Sequence, residues 1–339
     1  MPPLVDKHSF LFKDILGDDP TDALKFCKSL QNEWAEKYSK DPELAMRMKE
    51  FKKTHCLHLV CVSDKFGVSV PEDIGLSKAY SSYCPLSKAY DQRKPFLITA
   101  DDNPGYSQPT WPHSDAESDR NSEKQLYQHF NALLHLFNAA EAQVPLSEEL
   151  IKYTHGILMS GLYGDGSAKI NAGEYRLCPV GTGMKHMYPE FDIVPTTMER
   201  IIREYKERCT SREHHTFELA SWLLYELLTI HPFEDGNGRV SRLLWCYSLL
   251  RDGLPFPVTP FPGHKKAYKK YIWCINRDRE ISGKSLTPNC KHLTSLTLIS
   301  ITMTWKKFVL NLESESPEKY KEILEMLKES GNILPSLDE

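Results

Sequence analysis

Two apolar helical stripes, separated by twelve residues of very different chemistry, constrain this chain more than any other feature. Phe217, Ala220, Leu223, Leu224, Leu227 and Leu228 recur at helical spacing. Leu243, Leu244, Leu249 and Leu250 continue an apolar run until Gly253 and Pro255 stop it. Between them stands His-Pro-Phe-Glu-Asp-Gly-Asn-Gly-Arg-Val-Ser-Arg, residues 231–242. The pattern predicts two buried helices joined by a short polar turn.

That turn reads as a phosphate-handling site. Gly236 and Gly238 flank Asn237, so the backbone can adopt left-handed angles and aim successive amide N–H groups at one anion. A helix beginning near Gly238 adds its unpaired N–H groups and positive dipole end. Arg239 and Arg242, one turn apart, place two guanidinium forks on one side, a charge better suited to a triphosphate than to a monophosphate. Asp235 is the carboxylate that could hold magnesium beside bound phosphates. His231 is the one group of the turn that titrates near neutrality, and so the natural acceptor for a hydroxyl proton.

Taken singly, each residue has a plainer reading. A histidine at a helix end is commonly structural, Asp-Gly is commonly a turn, and an arginine pair commonly makes surface ion pairs. Phe233 reads as a core plug, Pro232 as a turn starter and Glu234 as a solvated side chain. Seven constrained positions in twelve residues favour the functional reading over the sum of these.

The run matches at every position the Fic signature His-x-Phe-x-Asp/Glu-Gly-Asn-Gly-Arg-x-x-Arg, so the chain resembles the Fic (Fic/Doc) family. The resemblance implies a mainly α, Fic-type helical bundle with a β-hairpin flap over the active site. It also implies protein AMPylation, the transfer of AMP from ATP to a Ser, Thr or Tyr hydroxyl of a target protein. In that reading His231 is the general base, Asp235 holds Mg2+, Gly236, Asn237 and Gly238 form the anion hole, and Arg239 and Arg242 hold the β- and γ-phosphates. Leu146-Ser147 through Tyr153-Thr154-His155 to Ala172-Gly173-Glu174-Tyr175-Arg176 resembles the first family helix and the start of the flap, with Gly181, Thr182 and Gly183 at its tip. The family's flap pairs with the target by strand addition. Tyr268 and Asn276, on one face of an expected helix, resemble a nucleotide-contacting tyrosine and asparagine of metazoan-type members, while Tyr271 and Trp273 read as packing residues. Family members with this fold also transfer phosphocholine or phosphate or remove AMP, and a nucleotide-binding interaction module without turnover is a third reading.

At 339 residues and 40% hydrophobic content the chain can bury a proper core. A net charge of -4 and a pI near 6.4, without a basic arm, argue against nucleic acid as a partner. Nine scattered cysteines, at 27, 56, 61, 84, 178, 209, 246, 274 and 290, read as reduced core thiols. Without a leader-like N-terminus or a membrane-length apolar run, a cytoplasmic protein is expected, with a homodimer compatible. His55-Cys56-Leu57-His58-Leu59-Val60-Cys61 lacks the separated pairs of zinc sites and reads as a buried strand or helix piece.

Three regions are expected: 1–120, helical and irregular, of unassigned role; 121–290, the catalytic domain; and 291–339, C-terminal helices packing on the core. Thr21 is expected to cap a helix carrying Leu24, Cys27 and Trp34, followed by an amphipathic stretch over 42–53 and irregular structure over 62–121. Ser122 with Gln125, and Thr196 with Glu199, read as capping boxes, and Ser147 as a cap. A long apolar stretch lies near 293–312, and Ser316-Pro317 is expected to open a helix that Gly331 ends. Of the family's inhibitory pattern Ser/Thr-x-x-x-Glu-Gly/Asn, Ser29 to Glu33 fits until Trp34, and Ser314 to Glu318 fits except for Pro317 and Lys319. Glu33 therefore reads as a surface helical glutamate.

Overall fold

The computed structural model describes residues 20–36, 38–62, 117–162, 170–182, 186–211, 216–260, 265–283, 288 and 290–315. These residues are mainly helical: α1 (Pro20–Glu36), α2 (Pro42–Val62), α3 (Glu117–Glu141), α4 (Glu148–Met159), α5 (Val194–Ser211), α6 (Thr216–Ile230), α7 (Asn237–Arg251), α8 (Lys265–Ser282) and α9 (Lys291–Glu315). Two-residue strands β1 (Gly181–Thr182) and β2 (His186–Met187) pair antiparallel, Gly181 opposite Met187 and Thr182 opposite His186.

The centre is the pair α6–α7. Helix α6 is apolar almost all round, as burial on several sides requires: α7, α9 and α5 all pack on it. Helix α7 lies also against α3 and α4, and α9 is backed by α1 and α8. Buried side chains from Cys27 to Leu312 form one core cluster, in which Trp34, Trp305, Phe308 and Phe256 meet edge to face or tilted. Two of the polar contacts inside it are Ser221 with Thr297 at 2.8 Å and Trp245 Nε1–H donating to Thr297 Oγ1 at 3.0 Å.

Local signals held where the terminus is set by its own residues. Ser147 Oγ accepts from Leu150 N–H at 3.2 Å and caps α4. Helix α7 ends in a Schellman turn: Gly253 has φ +92°, its N–H donates to Leu250 O, and Leu254 N–H donates to Leu249 O. Other starts were misplaced. Helix α1 begins at Pro20 and takes in Thr21, because a missing N–H costs nothing in the first turn. Helix α3 begins at Glu117, upstream of Ser122, and α2 runs on from the expected 42–53 to Val62. Helix α5 begins at Val194, directly after a 3₁₀ turn at Phe191–Ile193, so Thr196 lies within the first turn and its hydroxyl donates to Ile193 O.

His55 and Cys56 are buried in α2, the helical alternative for that stretch, with His55 stacked on Phe51. Glu33 accepts from Tyr38 Oη at 3.1 Å. Cys178, outside any helix, is exposed, and Cys209, packed at the edge of the core, is half-buried, unlike the core thiols expected there; Cys27, Cys56, Cys246, Cys274 and Cys290 are buried. Gly183, Ser316–Gly331, Glu318 and most of 62–121 lie outside the described residues. No helix among those described is long and apolar enough to cross a membrane.

Candidate functional site

His231 terminates α6. Its N–H still donates to Leu227 O at 3.0 Å, but its own φ is +53°, a left-handed value that a β-substituted residue adopts at a cost. Surrounding bonds hold it there. Arg176, 1% exposed, donates from Nε to His231 O at 2.7 Å, from Nη2 to Ile230 O at 3.3 Å and to Pro189 O, and from Nη1 to Cys178 O at 3.1 Å. Its N–H donates to Pro232 O at 2.9 Å. One buried guanidinium thus gathers the end of α6 and both legs leading to the hairpin. The positive charge sits against carbonyl dipoles, including the negative end of α6.

The ring of Tyr188 lies flat on that of His231, centroids 3.6 Å apart and planes 10° from parallel. Burial lowers the His231 pKa from its ordinary 6.5 to about 4; the Leu228 main chain and Asp235 pull upward, Arg279 and Arg176 downward. The imidazole is therefore neutral at physiological pH, as a proton acceptor must be. Its Nδ1 is buried, which leaves Nε2 as the nitrogen for chemistry.

The turn that follows is built around Asn237, 2% exposed. Its Oδ1 accepts from Phe233 N–H at 2.9 Å and its Nδ2–H donates to Phe233 O at 2.8 Å, so the side chain is committed to closing the loop. Only its main chain is left to an anion. Gly236 stands before it at φ +74°; a Cβ there would lie 2.6 Å from Met159 Sδ. Val240 N–H donates to Gly236 O as the first helical bond, so helix geometry leaves the amides of Asn237, Gly238 and Arg239 without intrahelical acceptors. Asp235 is exposed, its Oδ1 accepting from Gly236 N–H and lying 4.0 Å from Arg239 Nη2. Phe233 is fully buried and Glu234 exposed, as expected.

Arg239 Nη1 donates to Gln125 Oε1 of α3 at 3.0 Å. His129, on the next turn of α3, is buried and held well below its ordinary pKa, by desolvation first and then by Arg242 and Arg239. Arg242 also lies near Tyr271 of α8, whose buried phenol is raised to about 12 by desolvation against the pull of that arginine. Tyr268, 43% exposed, approaches Tyr271 with ring centroids 6.3 Å apart, and Asn276 is exposed on the same helix. Tyr271 packs as expected, whereas Trp273 is 41% exposed and touches only the edge of His292 at 5.3 Å among its described ring contacts.

Thus His231, Asp235, the Gly236–Gly238 amides, Arg239 and Arg242 share one turn and the first turn of α7. The donor set fits a magnesium triphosphate: an exposed carboxylate, amides lacking acceptors and a cradle in which a Cβ at Gly236 would collide. Arg176, Tyr188, Gln125, His129 and His155 are the supporting residues that sequence reasoning did not single out for this role. His155 and Arg176 stood inside the quoted resemblance, but their partners are far away in the chain.

Residues 145–249 match the Fic/DOC family. A Fido domain-containing protein of Dictyostelium discoideum is 32% identical over 145 residues, covering 42% of this chain and 96% of that protein. A protein adenylyltransferase Fic of Aedes aegypti is 34% identical over 110 residues, 32% of this chain and 21% of that protein; the chain thus spans about a fifth of such a relative. Among solved structures, a Fic domain containing signaling protein from Bacteroides thetaiotaomicron superposes with a TM-score of 0.59 at 19% identity, covering 86% of this chain and 98% of that one. Fic-1 from C. elegans gives 0.55 at 17% identity, covering 87% and 73%.

Proposed function

The chain belongs to the Fic/DOC family, and from that premise we propose that it is a protein adenylyltransferase, moving AMP from ATP to a Ser, Thr or Tyr hydroxyl of a target protein. The observation that carries the reading is the convergence of a neutral, buried-backed imidazole at His231 with an amide-lined helix start six residues on. In this reading Nε2 of His231 takes the hydroxyl proton. The freed oxygen bonds to the α-phosphorus, the bond from that phosphorus to the bridging oxygen breaks, and pyrophosphate leaves. Arg239 and Arg242 hold the β- and γ-phosphates, and the amides of Asn237, Gly238 and Arg239 face the charge that develops, that of Gly236 being engaged by Asp235 Oδ1. Magnesium held by Asp235 would neutralise phosphate charge.

Tyr268 and Asn276, exposed on α8, are assigned to the nucleoside end. The β1–β2 hairpin is assigned as the flap, whose edge takes an extended segment of the target by strand addition, in keeping with His231 lying under Tyr188. The experiment is labelling with ATP carrying the radioisotope in either the α- or the γ-phosphate, with magnesium. Covalent label from α-ATP alone is the expected result. Label from γ-ATP would indicate phosphate transfer and overturn the reading.

A further inference from the structure

Resting on His231 as the base, we infer that Tyr188 is the positioning residue for its imidazole, so that the base is oriented by the hairpin as well as by its own helix. Rotation about the Cβ–Cγ bond of a histidine is soft, and on the helix side the group that draws on the His231 imidazole is the Leu228 main chain. What does lie against the ring is Tyr188, face to face at 3.6 Å and 10°. Turning the imidazole out of its plane would drive it into that phenol.

The place of Tyr188 is itself determined. It directly follows β2, and its N–H donates to Val180 O at 3.1 Å, one pairing beyond Gly181 and Met187. The carbonyls of Pro189 and Cys178, one on each leg, are tied through the Arg176 guanidinium to those of Ile230 and His231. The two stacked residues thus hang from a single buried cation. Tyr188 also meets the His186 ring edge to face, with centroids 4.8 Å apart and planes at 88°. The charges around the stack are Arg176, Arg279 and Asp235; none lies between the two rings.

The test compares Tyr188→Ala, Tyr188→Phe and wild type in ATP labelling kinetics, and follows the His231 ring-proton resonances by NMR. A face stack shields those protons. In Tyr188→Ala the account expects turnover to fall about tenfold or more, KM for ATP to change less than about twofold, and the shielding to vanish. Tyr188→Phe should restore all three. Should Tyr188→Ala melt below the assay temperature, Tyr188→Leu replaces it with the same expectations. Wild-type turnover in the alanine or leucine variant, an equal loss in Tyr188→Phe, or a change in KM alone would overturn the inference. If wild type transfers no label, the function proposed above fails, and the ring-proton shift decides the stack alone: lost in Tyr188→Ala and kept in Tyr188→Phe supports it, unchanged in both refutes it.

Discussion

Nε2–H of His155 donates to the main-chain carbonyl of Asp235 across 3.0 Å. Its Nδ1 accepts from Gly173 N–H at 2.9 Å, and an amide can only donate, so the tautomer is fixed and the ring is neutral. Stacked on Phe233 at 3.7 Å, with burial taking its pKa to about 4, His155 joins the segment leading to the hairpin to the loop that carries the metal-capable carboxylate. His155→Leu should leave a part-buried N–H and a part-buried carbonyl unpaired. The expected loss is about 2–4 kcal/mol in unfolding free energy. Urea denaturation measures it, and an unchanged midpoint would remove His155 from this role.

The left-handed φ of His231 predicts a trade between stability and chemistry. Glycine accepts that conformation freely and alanine does not. His231→Gly should therefore be more stable than His231→Ala by about 1 kcal/mol, with both inactive. Paired thermal melts check this; equal midpoints would mean the backbone there carries no strain.

Gly236 combines φ +74° with a Cβ position 2.6 Å from Met159 Sδ. Gly236→Ala should displace the amide cradle and weaken Mg-ATP binding by about tenfold or more. Calorimetric titration reads the change. Shortening Met159 in the same chain should recover only part of it, because the backbone angle remains; full recovery would show that the collision alone matters.

Much of this was legible in the sequence, and the boundary has a physical cause. The apolar stripes of α6 and α7, the Asn-Gly turn and the Ser147 cap depend on neighbours within a few residues, so they can be read along the chain. The start of α5 could not, because the 3₁₀ turn before Val194 supplies the helical backbone that Thr196 was expected to begin. Arg176 looked like one letter of a resemblance; its work is to hold carbonyls up to 55 residues away. Tyr188 offered no sequence signal, since a stack on His231 depends on how the hairpin folds back. Asn237 was placed correctly in the turn, yet its side chain serves Phe233, which only the coordinates reveal.

Acid should destabilise the protein early. His135, His155 and His231 are lowered by burial from 6.5 to about 4, and burial together with Arg242 and Arg239 holds His129 well below its ordinary value. Their stabilising preference for the neutral form is complete above the unfolded value of 6.5 and is lost as pH falls toward the folded values. Over that window the unfolded chain binds more protons, and each histidine adds up to about 1.4 kcal/mol per pH unit to the slope. Denaturation midpoints between pH 7 and 4 should fall steeply, and more shallowly in His135→Phe. A flat profile would show these rings protonated in the native state.

The central claim is that His231 does chemistry on a nucleotide bound by the next turn, without being needed to bind it. The direct measurement is His231→Ala assayed side by side for Mg-ATP affinity and for transfer of α-phosphate label. The account predicts affinity within about threefold of wild type and labelling reduced at least about a hundredfold, the scale of a lost general base. Labelling that persists in His231→Ala would contradict it.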